Sequence, residues 1–174
     1  MLGICRNIPK QLRRIHHSFR GFSLCDFNTE QTIERLRLFI QHYESGTELS
    51  KKLKCTLQLL QLEIGSIGCP LTENYTIKGP LATDSWIKAL WKLLKESKIE
   101  FFINYPTIKR PRVNDRTLVD VFIEMGYKDN ELKSLNTCRI AKKLFFLSDC
   151  LGADGKIIED DIQDKDTIII IITE

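Results

Sequence analysis

The stretch Leu81–Tyr105, LATDSWIKALWKLLKESKIEFFINY, holds both tryptophans of the chain and changes its hydrophobic period partway along. Trp86, Ile87, Leu90, Trp91 and Leu94 recur at helical spacing, with Lys88, Lys92, Lys95 and Lys98 on the other faces. Thr83 and Asp84 can supply the N-cap oxygen. After Ser97, Ile99, Phe101, Ile103 and Tyr105 alternate with Glu100, Phe102 and Asn104, which predicts a strand. Pro106 closes it, because proline cannot donate to a ladder. Trp86 and Trp91 lie about 140° apart on a helical wheel and are expected to meet different neighbours. Core packing is the first reading of the pair, and a platform for stacking bases is the second.

A chain of 174 residues makes one domain, or one domain and a tail. Apolar content of 43% and charged content of 28% suit a soluble domain with a buried core. No apolar run approaches the ~20 residues of a membrane helix, and residues 1–25 lack the apolar stretch of a secretory signal. The six cysteines include no C-x-x-C pair, which argues against a zinc module or a disulfide framework and for reduced thiols inside the cell.

The net charge of +3 conceals an asymmetry. Residues 1–25 carry Arg6, Lys10, Arg13, Arg14 and Arg20 and no acid, whereas residues 149–174 carry eight acids against Lys156 and Lys165. The basic head also reads as an amphipathic helix, with Ile8, Leu12, Ile15 and Phe19 as its apolar stripe and Gly21 as its stop. It fits a solvated helix face, a nucleic-acid contact, or, ranking third, a mitochondrial presequence.

Further helices are expected from Asn28, with Ile33, Leu36, Phe39, Ile40 and Tyr43 facing inward, and from Thr47 to Gly65, with Leu49, Leu53, Leu57, Leu60 and Ile64. Residues 65–80 read as a loop. After the strand, Pro106–Asn114 is proline-stiffened and holds Lys109, Arg110 and Arg112 without an acid. It is either a solvated linker or a phosphate contact. Asn114 is placed to cap a helix carrying Leu118, Val119, Phe122 and Ile123, and Asp129 a longer one running on through Leu144, Phe145 and Leu147. The tail ends in five isoleucines, Ile168–Ile172, a candidate partner for the strand at 99–105 and an aggregation hazard if exposed.

The motifs of catalysis are missing. The three histidines lack H-E-x-x-H spacing, no phosphate-cradling glycine loop occurs, and an ion loop starting at Asp149 would have Asp154 where glycine is required. Tyr127-Lys128-Asp129-Asn130 has one aspartate where two-metal phosphoryl transfer needs more carboxylates. No catalytic residue, metal site or cofactor is therefore assigned.

Four motifs occur in order over about residues 20–158: Gly21-Phe22-Ser23-Leu24 leading to Thr29-Glu30-Gln31; Leu62-Glu63-Ile64-Gly65; Leu81 to Trp91; and Leu135-Asn136-Thr137-Cys138-Arg139 followed by Leu147-Ser148-Asp149-Cys150 and Ala153-Asp154-Gly155. Together they resemble the region C-terminal to the polymerase core in reverse-transcriptase-bearing retrotransposon open reading frames. Arg20, Ser23 and Cys25 stand where that family's first turn has glycines and proline, and the polymerase core with its aspartates is absent from this sequence. The resemblance implies a non-catalytic, thumb-like or connector-like module that holds template–primer through backbone phosphates. Its partners would be RNA or DNA and a polymerase core encoded separately or upstream, in cytoplasm or nucleus and without a membrane.

The expected architecture is mainly α, an irregular bundle of about six helices with at most a small two-stranded β element. Residues 1–20 are the basic helix, 21–155 the helical domain and 156–174 the acidic, isoleucine-rich tail. Arg6, Lys10, Arg13, Arg14, Arg20, Lys109, Arg110 and Arg112 are the expected nucleic-acid contacts. A helical protein-interaction module, or a remnant without function, is the rival reading.

Overall fold

A computed structural model describes residues 27–151. The chain divides into two compact units, residues 1–50 and 51–174. The described residues form six α-helices, several short 3-10 turns and no strand, so the fold is mainly helical. The amphipathic helix expected over residues 8–19 and the isoleucine tail lie outside the described residues.

In the first unit, α1 (Phe27–Tyr43) ends in the turn that starts α2 (Glu48–Ile64). Phe39 and Tyr43 are buried and stack with centroids 5.2 Å apart. Ile33 and Ile40, expected to face inward with them, are exposed. Helix α2 starts where its sequence predicts, and Thr47 caps it, its Oγ1 accepting from the Ser50 N–H at 3.3 Å. Ser50 then donates its hydroxyl to the Tyr43 carbonyl at 2.7 Å, which satisfies a buried end group of α1.

In the second unit, α2 continues with Leu57, Leu60 and Ile64 buried. Residues 65–80 are not the loop their glycines and prolines suggest. They fold into a 3-10 turn (Pro70–Thr72), α3 (Tyr75–Lys78) and a second 3-10 turn (Gly79–Leu81). Pro70 stands at the first and Pro80 at the second position of these turns, where the missing N–H costs nothing.

Helix α4 (Trp86–Glu96) buries Ile87, Leu90, Trp91 and Leu94, each worth about 1.5–3 kcal/mol relative to exposure. Its N-cap is Ser85, whose hydroxyl accepts from the Lys88 N–H at 3.1 Å, rather than Thr83 or Asp84. The tryptophans separate as the wheel predicts, but only one is core. Trp91 is fully buried, edge-on to Tyr75, with its indole N–H on the Glu73 carbonyl at 3.2 Å, while Trp86 is 38% exposed.

Helix α5 (Leu118–Glu124) is capped by Thr117, not Asn114, and packs Leu118, Val119 and Phe122 against Leu132 and Leu135 of α6 (Asp129–Ala141). Helix α6 stops at Ala141, so Leu144 and Leu147, expected on it, reach the same cluster from the segment beyond.

The strand expected over 99–105 does not form. Phe101, Ile103 and Tyr105 are half-buried and Phe102 and Asn104 exposed, so the alternation holds over 101–105, but Ile99, expected inward, is exposed. A ladder, however, needs a row of unpaired backbone groups alongside. This segment instead follows the end of α2, where the Tyr105 hydroxyl donates to Gln61 Oε1 at 3.0 Å and the Ile108 N–H to the Ile67 carbonyl at 2.9 Å. The β structure among the described residues is one antiparallel bridge, Thr117 with Phe146.

Candidate nucleic-acid interface

The basic loop is held at both ends. Upstream, the Ile108 N–H is fixed to Ile67, whose own carbonyl also accepts from the Gln61 amide at 2.9 Å. Downstream, Asp115 is buried, and its carboxylate accepts from the Arg116 N–H at 3.0 Å, the Ser148 N–H at 3.3 Å and the Ser148 hydroxyl. That carboxylate ties the loop to the 3-10 turn Leu147–Cys150. Between the anchors, residues 109–114 are all exposed, with Val113 93% exposed and Asn114 in the left-handed region at φ 61°.

Lys109, Arg110 and Arg112 therefore project from a short loop with fixed ends. The next cation, Arg116, forms an ion pair with Glu124. Arg6, Lys10, Arg13, Arg14 and Arg20 lie outside the described residues.

Two polar constellations escaped the sequence reading. The first surrounds Arg139, a guanidinium only 2% exposed. Its Nε donates to Asn136 Oδ1 at 2.8 Å, its Nη1 to the Leu144 carbonyl at 3.3 Å, and its Nη2 to the Leu62 and Glu63 carbonyls at 2.6 and 2.9 Å. Asn136 Nδ2 adds a bond to the Glu63 carbonyl at 2.9 Å. Burial lowers the Arg139 pKa to about 10. The carbonyls at the C-terminal end of α2, which carry its negative dipole end, are what support the buried charge. The Glu63 carboxylate in turn accepts from the Thr83 hydroxyl at 2.7 Å and the Thr83 N–H at 3.1 Å. Three motifs read separately in the sequence, Leu62–Gly65, Leu81–Trp91 and Leu135–Arg139, thus meet at the end of α2.

The second constellation is centred on Lys78, buried and bridging Glu73 at 3.1 Å and Asp120 at 2.8 Å. Ser66 donates to Glu73 at 2.7 Å and Thr117 to Asp120 at 2.8 Å. Lys78 sits in what reads as a loop, so no periodicity in the sequence marks it for burial. Both constellations spend their donors on protein acceptors, which suits cross-linking of helices rather than binding of a substrate.

Among the described residues of the second unit, three clefts stand out. One of 220 Å³ lies between Ile77, Leu81, Ile123 and Tyr127. One of 370 Å³ lies between Thr83, Lys88, Lys133 and Asn136. One of 250 Å³ lies between Leu71, Lys95, Glu100 and Phe102. The three are lined by no histidine and no cysteine. Elsewhere, burial raises the Cys69 thiol pKa above its usual value, and a hydrogen bond from Lys88 lowers that of the Asp84 carboxyl. Among the described residues no helix is long and apolar enough to cross a membrane, and no group of three or more His, Cys, Asp or Glu side chains is placed to hold a metal. Comparison with protein-family models, with curated proteins and with solved structures finds no match to this chain.

Proposed function

We propose that this protein is a non-catalytic helical module that contacts RNA or DNA through backbone phosphates, in the manner of the connector that follows a retroelement polymerase core. The observation that carries the proposal is the loop at 109–114: three cations, no acid, full exposure, and both ends fixed by hydrogen bonds. A loop with fixed ends holds cations in place without the entropy cost of ordering a free chain. Lys109, Arg110 and Arg112 are the contacts, with Arg6, Lys10, Arg13, Arg14 and Arg20 as a second basic segment.

Electrostatic binding of this kind is expected to weaken linearly in log affinity against log salt. Replacing Lys109, Arg110 and Arg112 together by alanine is expected to flatten that line by about 2 units of slope on single strands, at about 0.7 per phosphate neutralised. Fluorescence anisotropy of a labelled oligonucleotide across a salt series measures it. Absence of binding at low salt, or a slope indifferent to the triple replacement, would favour a protein-interaction module instead.

A further inference from the structure

The segment leading into the basic loop carries an aromatic side chain that the core does not use. Phe101 and Ile103 turn partly inward, while Phe102 between them is 79% exposed. Its backbone is not free to bury it. The Ile99 N–H is tied to the Leu94 carbonyl at 2.9 Å, and the Tyr105 hydroxyl is tied to Gln61. Phe102 also lines the 250 Å³ cleft, together with Leu71, Lys95 and Glu100. Lys95 leans over it, its Nζ 3.5 Å from the Thr72 carbonyl.

An exposed ring beside a cleft and a cation offers one face to a flat apolar group and one charge to an anion. From Phe102 the chain runs within ten residues to Lys109, Arg110 and Arg112 with no acid between. That charge selects the flat group. Bases of a single strand are unstacked and show their faces, and each comes with a phosphate, whereas bases inside a duplex show only edges. Resting on the phosphate-binding reading above, we infer that the ligand is single-stranded nucleic acid, with one base stacked on Phe102 in this cleft and the strand continuing over Lys109, Arg110 and Arg112. The lysine end of the cleft takes the phosphate. Glu100, the acid lining the cleft, repels phosphate and leaves that end to the amino and imino donors of the base.

The test uses the full chain and labelled oligonucleotides of one sequence, single-stranded and annealed to their complement. Single strands are expected to bind at least ten-fold more tightly than the duplex. Phe102→Ala is expected to weaken single-strand binding roughly ten-fold, in line with the loss of one stacked base, without changing the salt slope. Phe102→Trp, which keeps a ring face, is expected to restore it. Because Phe102 is exposed, both variants should keep the wild-type melting curve. Equal binding of duplex and single strand, or a Phe102→Ala variant that binds like wild type, overturns the single-strand inference while the slope change of the triple cation variant still upholds the phosphate reading. A triple variant that binds like wild type overturns both.

Discussion

Arg139 is the residue on which most of the second unit's polar accounting turns. It is charged and almost fully buried, and its partners are carbonyls and Asn136 rather than a carboxylate. Replacing it by methionine keeps much of the volume but leaves the Leu62, Glu63 and Leu144 carbonyls without that donor. The expected cost is about 3 kcal/mol in urea unfolding, since these are bonds to a charged donor in a buried place. The sign of the pH dependence follows from the lowered pKa. Below about pH 10 the side chain is charged in both folded and unfolded chains, so it adds no slope. Above that value the unfolded chain holds the proton more tightly, and the contribution of this group to stability rises with pH until the higher pKa of the unfolded chain is passed. The gap between wild type and Arg139→Met is therefore expected to stay constant between about pH 6 and about pH 9. A gap that varies with pH over that range would mean that another group titrates with it.

At the scale of the element, four helices end in the same way. After α2, α4, α5 and α6 the chain turns through a left-handed residue: Gly65, Lys98, Gly126 and Lys143. The next N–H then reaches back five residues to an open carbonyl, as Ser66 does to Gln61 at 3.0 Å and Ile99 to Leu94 at 2.9 Å. Gly65 and Gly126 are legible as stops in the sequence because glycine favours that conformation. Lys98 and Lys143 are not, because lysine gives no such signal and the hydrogen bonds that impose the turn are seen only in three dimensions. Lys98→Gly is expected to raise stability by about 0.5–1 kcal/mol by removing that strain. Gly65→Ala runs the other way, because a Cβ there would sit 2.5 Å from Val119 Cγ2 in addition to the backbone strain. A loss of about 2–4 kcal/mol is expected, partly recovered by adding Val119→Ala. Thermal melts of the variants check both directions.

For the molecule as a whole, helical periodicity was the part of the fold open to reading, because helix hydrogen bonds are local. The helices at α1, α2, α4, α5 and α6 follow from it, with ends displaced by a few residues. The strand at 99–105 misled because alternation reports which side is buried and not whether a neighbour offers backbone groups to pair with. The basic loop was legible from composition and its anchoring at Asp115 was not, while the alternation already set Phe102 on the outer face with Glu100 and Asn104 but gave it no role. The Arg139 constellation could be glimpsed only as separate motifs, since its bonds span 76 and 77 residues. A chain ending before Asp129 lacks α6 and uncovers Leu118, Val119 and Phe122. Such a truncation is expected to lose its cooperative melt and bind a hydrophobic dye, and a sharp two-state melt would show that α6 is dispensable.

The guanidinium that finishes α2 also imposes a schedule on synthesis. Leu62 leaves the peptidyl-transferase centre 77 residues ahead of Arg139. At about 5–20 residues per second, the end of α2 waits roughly 4–15 seconds for its partner. During that interval the Leu62 and Glu63 carbonyls lack the Arg139 and Asn136 donors, and the apolar faces later closed by α6 stay open to other nascent chains. Codon choice and chaperone occupancy between residues 62 and 139 thus bear on yield independently of the stability of the finished fold.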